Sequence, residues 1–131
     1  MSIYVDGQNT PHHSVICVVI EQQEKKIMKT IDKFSDSNDV ERMALLEGLK
    51  QALIYAGKKN ICLVISDSIN AVRNFHIMKS YEKLRNEIKE SGKRIAVCWM
   101  PRNKNIAGKY LENRLKVLKK STSNSIGVRI K

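Results

Sequence analysis

Ile61-Cys62-Leu63-Val64-Ile65-Ser66-Asp67-Ser68 is the stretch on which the fold turns. Five apolar residues in a row, with Lys58-Lys59-Asn60 before them and Ser/Asp/Ser after, have the composition of a short strand buried on both faces. Such a strand belongs inside an α/β sheet, and ligands bind these sheets beyond the carboxyl ends of the strands. Asp67 stands at that end. What matters in the rest of the chain is what arrives beside it.

Upstream, Ser2–Val5 is expected to be a short strand closed by the turn signal Asp6-Gly7 and the loop from Gln8 to His13. Val15–Ile20 is a continuous apolar run and Lys25–Phe34 alternates, so both are expected to be strands, joined as a hairpin through Glu21–Glu24. Ser35-Asp36-Ser37-Asn38-Asp39 supplies helix-capping residues. A helix over Val40–Ala56 follows and stops at Gly57; its apolar residues cover more than half its circumference, so it is packed on more than one side.

Downstream of Asp67, a short helix through Ile69, Val72 and Phe75 precedes one with Tyr81, Leu84 and Ile88 on a single stripe. Ile95–Trp99 is a fifth strand, stopped by Pro101. A last helix begins near Lys104 and repeats apolar residues at Ala107, Leu111, Leu115 and Leu118. The order is β-β-β-α-β-α-α-β-α. One domain is expected over residues 1–120, with a flexible polar tail over 121–131.

A chain of 131 residues with 42% hydrophobic composition suits one globular core. No run approaches the length of a membrane span, and Met1–Val5 lacks the pattern of a signal peptide, so no membrane association is expected. Cys17, Cys62 and Cys98 each lie in an apolar run without paired spacing, which favours buried, reduced thiols and a cytoplasmic location. The net charge is +11, and its whole excess falls in residues 77–131, which hold fifteen basic and four acidic residues. A field this one-sided attracts polyanions, above all nucleic acid.

If the first and fourth strands lie parallel and adjacent, Asp6 and Asp67 come side by side, and Glu41 in the first turn of the crossover helix faces the same point. Three converging carboxylates cannot all stay ionised without a cation between them, and oxygen-only ligation suits Mg²⁺ or Mn²⁺. Each acid also has a purely structural reading. Asp6 precedes Gly7 and would make a turn, Glu41 follows Asn38 at capping-box spacing, and Asp67 would cap the next helix. Only their joint placement favours a metal site. A divalent ion beside a basic surface is what phosphodiester hydrolysis requires.

Tyr4-Val5-Asp6-Gly7, Asn38-Asp39-Val40-Glu41 with Met43–Leu49, Ile65-Ser66-Asp67-Ser68 and Trp99-Met100-Pro101-Arg102-Asn103-Lys104-Asn105 appear in this order. Together they resemble the ribonuclease H family from residue 2 to about residue 118. The resemblance implies a mixed five-stranded sheet in the order 3-2-1-4-5 with helices on both faces. It implies cleavage of the RNA strand of RNA/DNA hybrids with Mg²⁺ or Mn²⁺, and Asp6, Glu41 and Asp67 as catalytic metal ligands. Gly7, Gln8, Asn38, Ser68, Arg102, Lys104 and Lys109 are the nucleic-acid contacts expected on this basis.

The family's fourth acid is missing. Lys109 stands at its position, a register shift brings Gly108 there, and Glu112 is the nearby carboxylate one turn on. Lysine cannot ligate a metal while protonated. Ile69 and Ser37 also depart from the family pattern, as does Gln8-Asn9 in place of a glycine-rich loop. Adjacent His12 and His13 are placed to approach the site from the first loop but read better as exposed polar residues. Trp99 and Tyr110 are both candidates to stack on bases, Trp99 reading better as core at the end of a buried strand and Tyr110 equally as either. Two functions stay open: a weak metal-dependent endonuclease on RNA/DNA hybrid, or an inactive relative acting as a nucleic-acid-binding module. A protein-interaction role is a third. Salt-dependent affinity for duplex is expected from helices carrying Lys79, Lys83, Lys89, Lys116, Lys119 and Lys120.

Overall fold

The structure is a computed structural model that describes residues 1–32 and 36–116. Five strands, β1 (Ser2–Asn9), β2 (His13–Ile20), β3 (Lys25–Asp32), β4 (Cys62–Ser66) and β5 (Ile95–Trp99), form one sheet in the order β3-β2-β1-β4-β5. The first three are an antiparallel meander, and β4 and β5 join parallel to β1. This is the mixed topology that the resemblance implied.

Alternation along β1 sends Ile3 and Val5 to one face and Tyr4 and Asp6 to the other. On the first face lie α1 (Ser37–Tyr55), α2 (Ile69–Ile77) and α3 (Glu82–Glu90), sharing one apolar core with β1, β2 and β4. Ile3, Val5, Leu45, Leu49 and Val64 are fully buried there, each stabilising the fold by about 1.5–3 kcal/mol relative to exposure. A Cβ at Gly48 would collide with Val5, so α1 can approach β1 closely only because that residue is glycine. The opposite face is covered by a helix over residues 106–116, here α4, through Ala107 and Leu111 against Val15, Cys17 and Val19.

Several boundaries move. Asp6-Gly7 is not a turn: β1 continues through it to Asn9, with Asp6 opposite Cys17 and Gly7 opposite Ile16. The reason is tertiary, since a Cβ at Gly7 would lie 2.7 Å from Val40 Cγ1, and the glycine serves the close passage of α1. Glu21–Gln23 forms a 3-10 turn closed by Glu24 at φ 50°. Ile61 lies outside β4 and is exposed. Lys79 sits in a 3-10 turn (Lys79–Tyr81) ahead of α3. Arg102–Lys104 forms another 3-10 turn, and α4 begins after Asn105 instead of near Lys104.

Cys17 and Cys62 are buried, and burial followed by the charge of Asp6 pushes the Cys17 thiol up to about 12. Cys98 is only half-buried. No described helix is long and apolar enough to cross a membrane. The expected end of the third strand at Lys33-Phe34, Ser35, Leu118, Lys119, Lys120 and the tail over 121–131 lie outside the described residues.

Candidate metal and nucleic-acid site

The register of β1 on β4 runs from Ser2↔Leu63 to Val5↔Ser66, so the next residue of each strand, Asp6 and Asp67, emerges side by side at the sheet's end. Glu41 comes from α1, as its fifth residue and not from its first turn, because the helix starts at Ser37. Oxygens of Asp6, Glu41 and Asp67 lie within 4.8 Å of one another. The structural readings of these acids fail one by one. The α1 N-cap is Asp36, whose side chain accepts from Asn38 N–H, so Glu41 closes no capping box. The α2 N-cap is Ser68, whose hydroxyl accepts from Ala71 N–H, so Asp67 is not needed there.

Electrostatics mark the cluster as short of positive charge. Burial, then the Asp67 charge, raises the Asp6 carboxyl above its usual range, while Glu41, Gly7 N–H and Arg102 oppose the shift. Glu41 rises further, through burial first, then the charges of Asp6 and Asp67 and a hydrogen bond with Asp6. Its Oε2 is buried and has no hydrogen-bond partner among the described residues. A small oxygen-seeking cation answers each of these strains at once, and the donor set fits Mg²⁺ or Mn²⁺. Neither His12 nor His13, both exposed, belongs to the cluster, and neither does the exposed Glu112.

Asn105 is the residue whose role the sequence did not disclose. Fully buried, it donates from Nδ2 to Val5 O at 2.9 Å and to Asp67 Oδ2 at 3.2 Å. Its Oδ1 accepts from Ala107 N–H at 3.1 Å and Gly108 N–H at 3.4 Å, which caps α4. One side chain thus fixes α4, β1 and Asp67 relative to each other. An Asn directly before a helix was the available signal. α4 then turns Gly108 toward the acids: a Cβ there would sit 3.3 Å from Asp6 Oδ2 and 3.7 Å from Asp67 Oδ2. Lys109, next along, is exposed.

The other expected contacts are dispersed around this point. Gly7 is buried against Val40, which leaves it no open surface for a ligand. Gln8 and Ser68 are half-buried; Asn38 is exposed, 3.5 Å from the Asn70 amide; Arg102 and Lys104 are exposed. Basic charge is uneven. α3 carries Lys83, Arg85 and Lys89 against Glu82, Glu87 and Glu90 and has no net charge. Arg85 is occupied with Phe75 O and Met78 O, and Lys93 with Leu53 O. Residues 93–116 hold seven basic residues and one acidic one, and so carry the basic excess of the described chain.

Trp99 is not core. It is 46% exposed at the end of β5, with its indole N–H donated to Asp67 O at 3.0 Å. Tyr110 is half-buried, packed with the α4-side core under Lys26.

No family model matches the chain, and no curated protein matches it. Solved structures do. One is the foamy viral protease-reverse transcriptase in complex with RNA/DNA hybrid, with TM-score 0.58, 13% identity, and 82% of this chain aligned to 19% of that one. Another is the native prototype foamy virus protease-reverse transcriptase, with TM-score 0.54, 14% identity, and 82% of this chain aligned to 20% of that one. The chain therefore spans about a fifth of the length of these proteins, and at such identity the likeness is one of fold. Together with the strand order, it shows that the chain has a ribonuclease H-like fold.

Proposed function

We propose that the chain binds nucleic acid at this end of the sheet and slowly cleaves the RNA strand of RNA/DNA hybrids, using Mg²⁺ or Mn²⁺ held by Asp6, Glu41 and Asp67. The observation that carries this reading is the convergence of three carboxylates within 4.8 Å around a buried, unpartnered Glu41 oxygen. A divalent ion there supplies activation of water and neutralises charge on the phosphate. The chain's own residues orient and attract. Asn105 holds Asp67 in place. Arg102, within electrostatic reach of Asp6, and the exposed Lys104 two residues on offer positive charge to the phosphate backbone, and Gln8, Asn38 and Ser68 offer polar groups. RNA/DNA hybrid as the ligand is supported by the foamy viral relative in fold, which was solved in complex with one.

A second reading is a binding module without chemistry. It is favoured by the first turn of α4, where Gly108 and Lys109 offer no carboxylate at the place the resemblance gives the fourth acid.

A cleavage assay on labelled hybrid with Mg²⁺ and with Mn²⁺ separates the two, with Asp67→Asn as control. Metal-dependent cutting that disappears in Asp67→Asn is the expected result. Hybrid that is bound but uncut by both proteins overturns the enzymatic reading and leaves the module. Hybrid affinity that stays constant between low and high salt overturns both, because phosphate contacts release counterions.

A further inference from the structure

We infer that Trp99 is a nucleotide-contacting platform beside the carboxylates, its exposed ring face taking the apolar face of a nucleotide whose strand crosses the site. The inference rests on the nucleic-acid reading above and adds to it a residue outside the metal cluster and the basic groups.

Three observations point here. Trp99 is the chain's single tryptophan, and it stays 46% exposed where an indole would ordinarily be buried. Its polar edge is already satisfied, because the N–H donates to Asp67 O at 3.0 Å. What the ring leaves open is therefore apolar face. That hydrogen bond also fixes the ring to the backbone of a carboxylate residue, so ring and acids keep one geometry, and little ordering is left to be done on binding.

The surroundings select the occupant. Ile69, two residues after Asp67, is 53% exposed, so apolar surface continues past the acid on α2. Arg102 and Lys104 follow Trp99 in the chain and are exposed, and Arg102 is close enough to lower the Asp6 carboxyl. An apolar platform next to a carboxylate cluster and exposed cations suits a ligand of alternating phosphates and rings. In a paired strand the ring in contact is the sugar; in a single strand it is the base.

The single tryptophan is its own reporter. Binding of fluorescein-labelled RNA/DNA hybrid and single-stranded RNA is followed by anisotropy, and Trp99 emission by titration with the unlabelled forms. Inorganic polyphosphate serves as the ring-free polyanion. Both nucleic acids are expected to change the emission, single-stranded RNA with the stronger quenching, and polyphosphate to leave it unmoved. Trp99→Leu is expected to weaken binding about ten-fold, and Trp99→Phe to recover most of that loss. A merely structural tryptophan would give neither the ring-dependent quenching nor the rescue. If hybrid and single strand both bind while emission stays constant, the inference is overturned and the nucleic-acid reading stands. If neither binds, both fall. Should Trp99→Leu fail to fold, the emission of the native chain still decides.

Discussion

Two helices deliver residues to Asp6, and they treat it in opposite ways. α1 passes close to β1 over Gly48 and Gly7 and brings Glu41 against Asp6, crowding a second carboxyl into the burial of the first so that Glu41 holds its proton tightly. α4 is tied down by the Asn105 amide and presents Gly108, which adds no charge and no bulk. One side of the site is strained for want of a cation. The other is closed by neutral hydrogen bonds. A site of this kind suits one divalent ion better than two, and each side is open to mutational test.

The largest effect is expected on the α1 side. Glu41→Gln keeps an amide able to donate to Asp6 but removes a charge, and metal affinity is expected to fall about 100-fold or more by calorimetry. Stability should move the other way. The folded-state pKa of Glu41 is raised to about 9, so the folded form binds its proton more tightly than the unfolded chain does. The native, metal-free protein therefore loses stability as pH rises from the ordinary carboxylate range through about 9, while below that range the term is fully favourable. Glu41→Gln lacks this loss. Its advantage in thermal unfolding should grow as pH rises from the ordinary carboxylate range toward 9 and vanish in acid. An advantage that does not change with pH would contradict the assignment.

On the α4 side the expected cost is one of stability. Asn105→Ala leaves Val5 O and two helix N–H groups without partners in a buried setting, a loss of about 2–4 kcal/mol in urea unfolding. Asp67 loses a hydrogen-bond donor at the same time, so metal binding should weaken as well. A loss below about 1 kcal/mol would mean that the packing of Ala107 and Leu111, not the amide, positions α4.

The smallest effect, and the sharpest contrast between the two sides, is expected from Lys109→Asp. Lys109 is exposed in the first turn of α4, where an acid is favoured by about 0.3–1 kcal/mol, so the fold should tolerate it. Gly108, not Lys109, is turned toward the acids, so a carboxylate at 109 points to solvent and acts on the site only at a distance. Metal affinity and hybrid cleavage are expected to change by no more than about two-fold. Uptake of a second ion by this variant would show that residue 109 faces the acids and that this account of α4 is wrong.

Much of the molecule was legible in its sequence, for reasons that are local. Strand and helix follow from apolar period and capping residues, and the Cys62–Ser66 run with its following aspartate marked a central strand before any neighbour was known. The three carboxylates were legible as a set because each stood next to a strand end or a helix start.

What only the tertiary structure decided depends on distances between elements far apart in sequence. Asp6-Gly7 reads as a turn until α1 is seen to need a residue without a side chain there. Trp99 reads as core until the end of β5 is seen to leave the ring uncovered. Gly108 and Lys109 differ by one residue, and which of them faces the acids is set by the phase at which α4 starts. That phase is fixed by Asn105, through a hydrogen bond to a strand residue one hundred positions earlier in the chain.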